Sequence, residues 1–212
     1  MYSSKYHTLP PAFVENSDLQ PRHSWRAILL LGAFPEHAAK FRYRYDENWN
    51  SPFNSVLHET PYPYYHCPSD PAPENQTSYV AVVGSDTLFP GRSPRKLEEI
   101  VGTTTQRMAP DEVKYSGAGL SNTILFVEMH QSGIHWLEPR DISIEDALKG
   151  VNKGTPSISG YHSMTFGFRK GPLVVFADGR VQFLNSNIDP KVLRSLLEVN
   201  NPDKPKERFI SP

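Results

Sequence analysis

Residues 172–184 read PLVVFADGRVQFL, and this stretch decides the fold class. Leu173 to Ala177 is an unbroken apolar run, Asp178-Gly179 interrupts it, and Arg180-Val181-Gln182-Phe183 alternates polar with apolar. An Asp-Gly pair between two strand-like runs is a strong hairpin signal, because a type I′ turn needs positive φ at both central residues. With Asp178 and Gly179 in that role, Phe176 is expected opposite Val181, and Val174 opposite Phe183. One face of the hairpin would then be wholly apolar, with Arg180 and Gln182 on the other.

Downstream, Asp189-Pro190 signals a helix start, a carboxylate cap followed by proline at the first helical position. Val192, Leu193, Leu196 and Leu197 form one apolar stripe, so a helix is expected against the hairpin. Upstream, Ser78–Val83 and residues 122–129 read as buried strands. Residues 24–34 fit a buried strand or a short helix equally well. Residues 37–51 start helical and turn at Asp46; residues 62–76 form a proline-punctuated loop with aromatic anchors. Ser93-Pro94 caps a short helix over 95–101 that Gly102 ends. Residues 138–149 hold a short helix, 150–161 is a Gly/Ser-rich loop, and 103–120 reads as a polar, turn-rich surface excursion. Tyr2 to His7 reads as the end of a helix. The expected class is α+β, with a predominantly antiparallel sheet, short helices and long loops. One domain covers 1–200, with 103–120 as an insertion, and 201–212 is a polar tail.

Composition narrows the function. A chain of 212 residues buries a real core in one domain. Its net charge of −1 leaves no basic stripe for nucleic acid. The single cysteine, Cys67, permits no internal disulfide. The longest apolar run, Ala27 to Leu31, is far too short to span a bilayer. No signal peptide is recognised.

Candidate chemistry is sparse. Asp178 is the cation candidate, for calcium, set against a plain turn role for its side chain. His66-Cys67 and Asp70 lack a second Cys-x-x-Cys or His-x₃-His element, so Cys67 is expected to be a small buried residue, neither ligand nor nucleophile. His130 and His135 are not at the helical spacing of a zinc protease motif and are expected at loop and strand ends. Ser121, His162 and Asp178 make a triad only on paper, because no G-x-S-x-G elbow surrounds Ser121. Glu128, a carboxylate in an apolar strand, is expected to face solvent or to pair with Arg26 or another buried cation. Tyr43, Tyr45, Trp49, Tyr62, Tyr64 and Tyr65 either line a glycan or peptide groove or anchor the core. No catalytic residue, metal ligand or cofactor is assigned.

The blocks HSWRAILL, YHCPSDP, TSYVAVVG, FPG, SNTILFVE, W followed by PRDI, and FADGRVQFL with IDPKVLRSLL occur in that order. This series resembles the bacterial family known as domain of unknown function 1559. Its members carry a prepilin-type cleavage/methylation segment and end in an H-X9-DG motif. The matching motif residues here are Trp25, Cys67, Pro68, Asp70, Ser121, Asn122, Glu128, Asp178 and Gly179. The resemblance implies a pilin-like or pseudopilin-like fold, with the N-terminal helix truncated. It also implies a non-enzymatic structural or assembly role outside the cytoplasm, with protein subunits as partners and the membrane reached only through that helix. The expected consequence is an apolar surface near residues 1–14 that a second copy or the 103–120 excursion covers. Three departures stand out: the prepilin segment is missing, the excursion between Ile100 and Ser121 is longer than the family usually shows, and Phe168 occupies the motif-histidine position, the nearest histidine being His162. The alternatives are a carbohydrate- or peptide-binding module using the aromatic region 43–65 and, more weakly, a hydrolase.

Overall fold

The computed structural model describes residues 6–33, 35–96, 99–100, 104–109, 112–115, 119–163 and 169–201. Its first part is a hairpin of β1 (Phe13–Glu15) and β2 (Pro21–Ser24), followed by α1 (Trp25–Ala33) and α2 (Pro35–Phe41). The ambiguity over 24–34 thus resolves to a helix. Ser24 caps it, its hydroxyl accepting the Ala27 N–H at 3.2 Å. Next come β3 (Tyr79–Val80), β4 (Val82–Val83), β5 (Thr104–Ala109), β6 (Glu112–Tyr115) and β7 (Ile124–Glu128). Then follow β8 (Ile142–Ser143), α3 (Ile144–Ala147), β9 (His162–Ser163), β10 (Arg169–Lys170), β11 (Leu173–Phe176), β12 (Val181–Phe183) and α4 (Pro190–Leu197).

The centre is a four-stranded antiparallel sheet in the order β12-β11-β7-β3. The class is therefore α+β. The hairpin expected at 172–184 forms, but with a register one residue away from the expected one. Leu173 pairs with Phe183, Val174 with Gln182 and Val175 with Val181. The Phe176 N–H donates to the Arg180 carbonyl at 2.8 Å, so Ala177, Asp178 and Gly179 all belong to the loop. Gly179 alone carries the positive φ, +87°, while Asp178 stays on the negative side. That is a three-residue loop with glycine at the left-handed position rather than a type I′ turn. A one-residue slip puts one strand's side chains on the other face relative to its partner. Val174 and Phe176 keep the core face, while β12 is reversed against them: Gln182 shares Val174's face, and Val181 is exposed.

Ser78–Val83 also differs from the single strand expected. β3 pairs antiparallel with β7, whereas β4 pairs parallel with β8. Ala81 marks the break: its N–H donates to the Asp141 carboxylate at 2.9 Å. Thr104–Ala109 and Glu112–Tyr115, within the stretch expected to be turn-rich, form the antiparallel pair β5-β6. Their Thr, Val and Tyr content favours strands even where hydropathy is low. Of the helix read over 95–101, residues 99 and 100 are helical and Lys96 bridges to Thr8, while 97, 98 and 101 lie outside the described residues, as does the polar tail from 202 onward.

Among the described residues three apolar clusters make the core. The first packs α4 on the sheet: Val80, Ile124, Val127, Val174 and Phe176 meet Leu193, Leu196 and Leu197. Asp189 caps α4 as expected, accepting the Lys191 N–H at 2.7 Å. The second centres on Trp25, Phe89, Ile100 and Val199, with Leu9 and Phe13 packed against it. The described N-terminal residues dock there through Leu9 N–H to the Arg95 carbonyl at 3.1 Å and Ala12 N–H to the Gly91 carbonyl at 3.0 Å. The third is aromatic, Tyr43, Tyr62 and Trp136 around α1. Among the described residues no helix is long and apolar enough to cross a membrane.

Candidate functional site

Among the described residues two buried polar centres lie against the sheet. The first is built on Arg26, the second residue of α1, whose guanidinium is fully buried. It meets Asp141 at 2.8 Å and donates to the carbonyls of Trp136, Glu138 and Arg140. Asp141 Oδ1 also accepts from the Trp25 indole at 3.0 Å and from the Ala81 N–H. One cation and one anion thus cancel, with their hydrogen-bonding capacity directed at fixed backbone groups. Buried ion pairs hold only under that condition. Arg26 is therefore the partner of Asp141, which removes one of the options the sequence left open for Glu128, namely solvent, Arg26 or another buried cation.

The second centre is built on Glu128. It is the last residue of β7, on the face opposite Val127, and is completely buried. Its Oε1 lies 3.1 Å from His130 Nε2, and its Oε2 lies 2.7 Å from His162 Nε2. Oε2 also accepts the Leu173 N–H at 2.8 Å. Buried cations are thus replaced by two imidazoles and a backbone amide. Gly160 leaves room for the carboxylate: a Cβ there would run into Oε2 and come within 2.9 Å of Cδ and 3.0 Å of the Pro172 Cα.

Cys67 completes the group. One ligand-capable atom from each of Cys67, Glu128, His130 and His162 lies within 4.8 Å of all the others. Cys67 is held in its turn by the Asp70 N–H donating to its carbonyl at 2.8 Å and by its own N–H donating to Ser78 Oγ at 2.9 Å. Asp70 then ties this turn to the histidine segment. It accepts the Ser78 hydroxyl at 2.8 Å and the Gln131 N–H at 3.0 Å.

The electrostatics follow from burial and these contacts. Burial pushes the Glu128 carboxyl up, but hydrogen bonds from His130, His162, Leu173 and Cys67 outweigh it and leave it below the usual carboxylate value. Burial pulls His130 down, yet its contact with Glu128 prevails and raises it. Burial, then the neighbouring Glu128, pushes the Cys67 thiol up. A thiol held in that state is a poor nucleophile. With a cation present the same sulfur is a strong ligand.

The other sequence candidates lie elsewhere. Asp178 is engaged by Arg180 at 2.7 Å, and the Arg180 guanidinium also reaches the Ser121 carbonyl. His162, bonded to Glu128 and edge-on to Phe183, does not join them in a triad. Trp25 stacks on Phe126 at 4.2 Å. His135 belongs to the aromatic cluster, stacked near Trp49. Of the six aromatics singled out, Tyr64 and Tyr45 are exposed, while Tyr43 and Tyr62 are buried. The Tyr65 and Tyr45 hydroxyls donate to the carbonyls of Arg26 and Ala27.

The Glu128 constellation escaped the sequence reading because its members come from three distant segments. One local signal existed: Glu128 and His130, two apart at a strand end, share a side. Comparison with protein-family models, with curated proteins and with solved structures finds no match for this chain.

Proposed function

We propose that this chain is a non-enzymatic, pilin-like structural or assembly protein that works outside the cytoplasm and takes protein subunits as partners. The observation that supports it is where the blocks of the family resemblance go. Trp25 and Arg26 meet Asp141 of PRDI; Cys67 and Asp70 meet Ser78 and Gln131; Asp178 and Ser121 meet through Arg180. The residues that define the series tie separate segments together, in the interior for Trp25, Cys67 and Asp70 and at the surface for Asp178 and Ser121, as expected of a scaffold rather than of a cleft that turns over substrate. An antiparallel sheet covered by a helix suits a pilin-like head.

The carbohydrate- or peptide-binding alternative would have to use Tyr64 and Tyr45, since the other rings of that region are engaged internally. Fractionation of host cells, combined with cross-linking in intact cells, separates the readings. The assembly role predicts an extracytoplasmic chain cross-linked to copies of itself or to another protein subunit. A cytoplasmic chain that stays uncross-linked overturns it.

A further inference from the structure

Four side chains of three different chemistries converge where the turn at Cys67, the end of β7 and the start of β9 meet. We propose that Cys67, Glu128, His130 and His162 form a zinc site that closes these three segments around one ion. The site stands independently of the assembly role.

The donor set points to zinc. One thiolate sulfur, two imidazole nitrogens and one carboxylate oxygen are four ligands of the types zinc takes in closed structural sites. Calcium and magnesium call for oxygen donors, which sulfur and nitrogen do not supply. Zinc imposes no geometric preference of its own, so it tolerates a mixed set.

The dimensions fit. Metal–ligand lengths of about 2.0–2.3 Å put the corners of a tetrahedron roughly 3.3–3.7 Å apart. The widest separation in the cluster is no more than 4.8 Å, and the closest contact is 2.7 Å. Small side-chain rotations close the first and open the second. Both imidazoles already turn Nε2 toward the centre, because Nε2 is the atom that meets Glu128.

Charge also balances. A thiolate and a carboxylate neutralise a divalent ion, so the buried centre carries no net charge. Binding displaces the thiol proton from Cys67, and any proton on Nε2 of either histidine, into solvent. The supports around the ligands are in place as well. Leu173 N–H orients Glu128, Ser78 Oγ accepts from the Cys67 amide, and Asp70 joins the Cys67 turn to the amide beside His130. Asp70 is a positioning residue here, touching no ligand atom of the ion.

The test uses the purified full chain, stripped with a chelator and titrated with Co²⁺ and then Zn²⁺. The expected result is one equivalent bound, with intense visible bands of four-coordinate cobalt and a near-ultraviolet thiolate-to-cobalt charge-transfer band, both erased by zinc. Cys67→Ala should abolish the charge-transfer band, and His162→Ala should lower affinity by more than 100-fold. Asp70→Asn should keep the spectrum and weaken binding about 10- to 100-fold. His66→Ala, next to Cys67 but outside the cluster, should change neither. A weak six-coordinate cobalt spectrum in the unaltered chain overturns the proposal without relying on any variant's folding. So does a charge-transfer band that survives Cys67→Ala, or the lack of saturable binding.

Discussion

The Arg26–Asp141 centre and the Glu128 centre are both buried, both polar and both fixed to the central sheet, yet they are built on opposite plans. At Arg26 a guanidinium faces a single carboxylate, and the remaining donors go to backbone carbonyls. At Glu128 a carboxylate faces two titratable rings and a thiol, groups whose charge depends on what else is present. The first arrangement can only hold the chain together. The second is stable with protons and better satisfied by a cation. Burial alone therefore does not separate structural from functional polar groups; the kind of partner does.

Asp141→Ala is the strongest way to break the first centre. It leaves Arg26 buried without its counter-charge and frees the Trp25 indole and the Ala81 N–H. Removing one partner of a buried pair costs about 3–5 kcal/mol, and urea unfolding should register a loss of that size. A loss below about 1 kcal/mol would mean that Arg26 finds water or another acceptor, and the contrast with Glu128 would collapse.

Gly160→Ala strikes the second centre from its packed side. The added methyl meets Glu128 Oε2 and the Pro172 backbone, so either the carboxylate or the strand must shift. Overpacking of this kind costs about 2–3 kcal/mol. The shift should move the His130 and His162 ring resonances in NMR spectra while leaving the Trp25 indole resonance in place. Movement of the indole instead would show that the two centres are coupled.

The smallest effect sharpens the comparison through pH. His135 Nδ1 accepts the Leu137 N–H at 3.1 Å, and Nε2 lies 3.0 Å from the His58 carbonyl. This contact set requires a neutral ring. Burial, aided by nearby His58 and Arg26 and opposed by Glu138 and the His58 carbonyl bond, pulls His135 down to about 4. Between that value and the ordinary one near 6.5, the unfolded chain binds a proton that the folded chain refuses. Its stabilising contribution is thus present at pH 7 and lost as pH falls toward 4. Allowing for solvent screening, the loss is roughly 1–2 kcal/mol. His135→Gln should flatten the stability–pH curve by that amount over this interval; an unchanged slope would refute the neutral assignment.

Read from the residues alone, the 172–184 hairpin, the Asp189-Pro190 helix start, the strand at 122–129 and the α+β class were all legible. Each depends on local chemistry: glycine's tolerance of positive φ, a carboxylate at a helix N-terminus, an apolar run of strand length. The hairpin register was not legible, because an Asp-Gly pair serves a three-residue loop as readily as a two-residue one, and Val174 and Phe176 face the core in either register, so the apolar run does not choose between them. Nor was the break at Ala81, which an Asp141 carboxylate from another segment imposes. The pairing of Glu128 lay furthest from the sequence. A carboxylate in an apolar strand announces a partner, but Arg26 and the histidines are equal candidates until the chain folds. Only the tertiary structure decided that Arg26 goes to Asp141 and that Cys67, His130 and His162 converge on Glu128, since contacts between distant segments follow from how sheet, turns and helices close on one another.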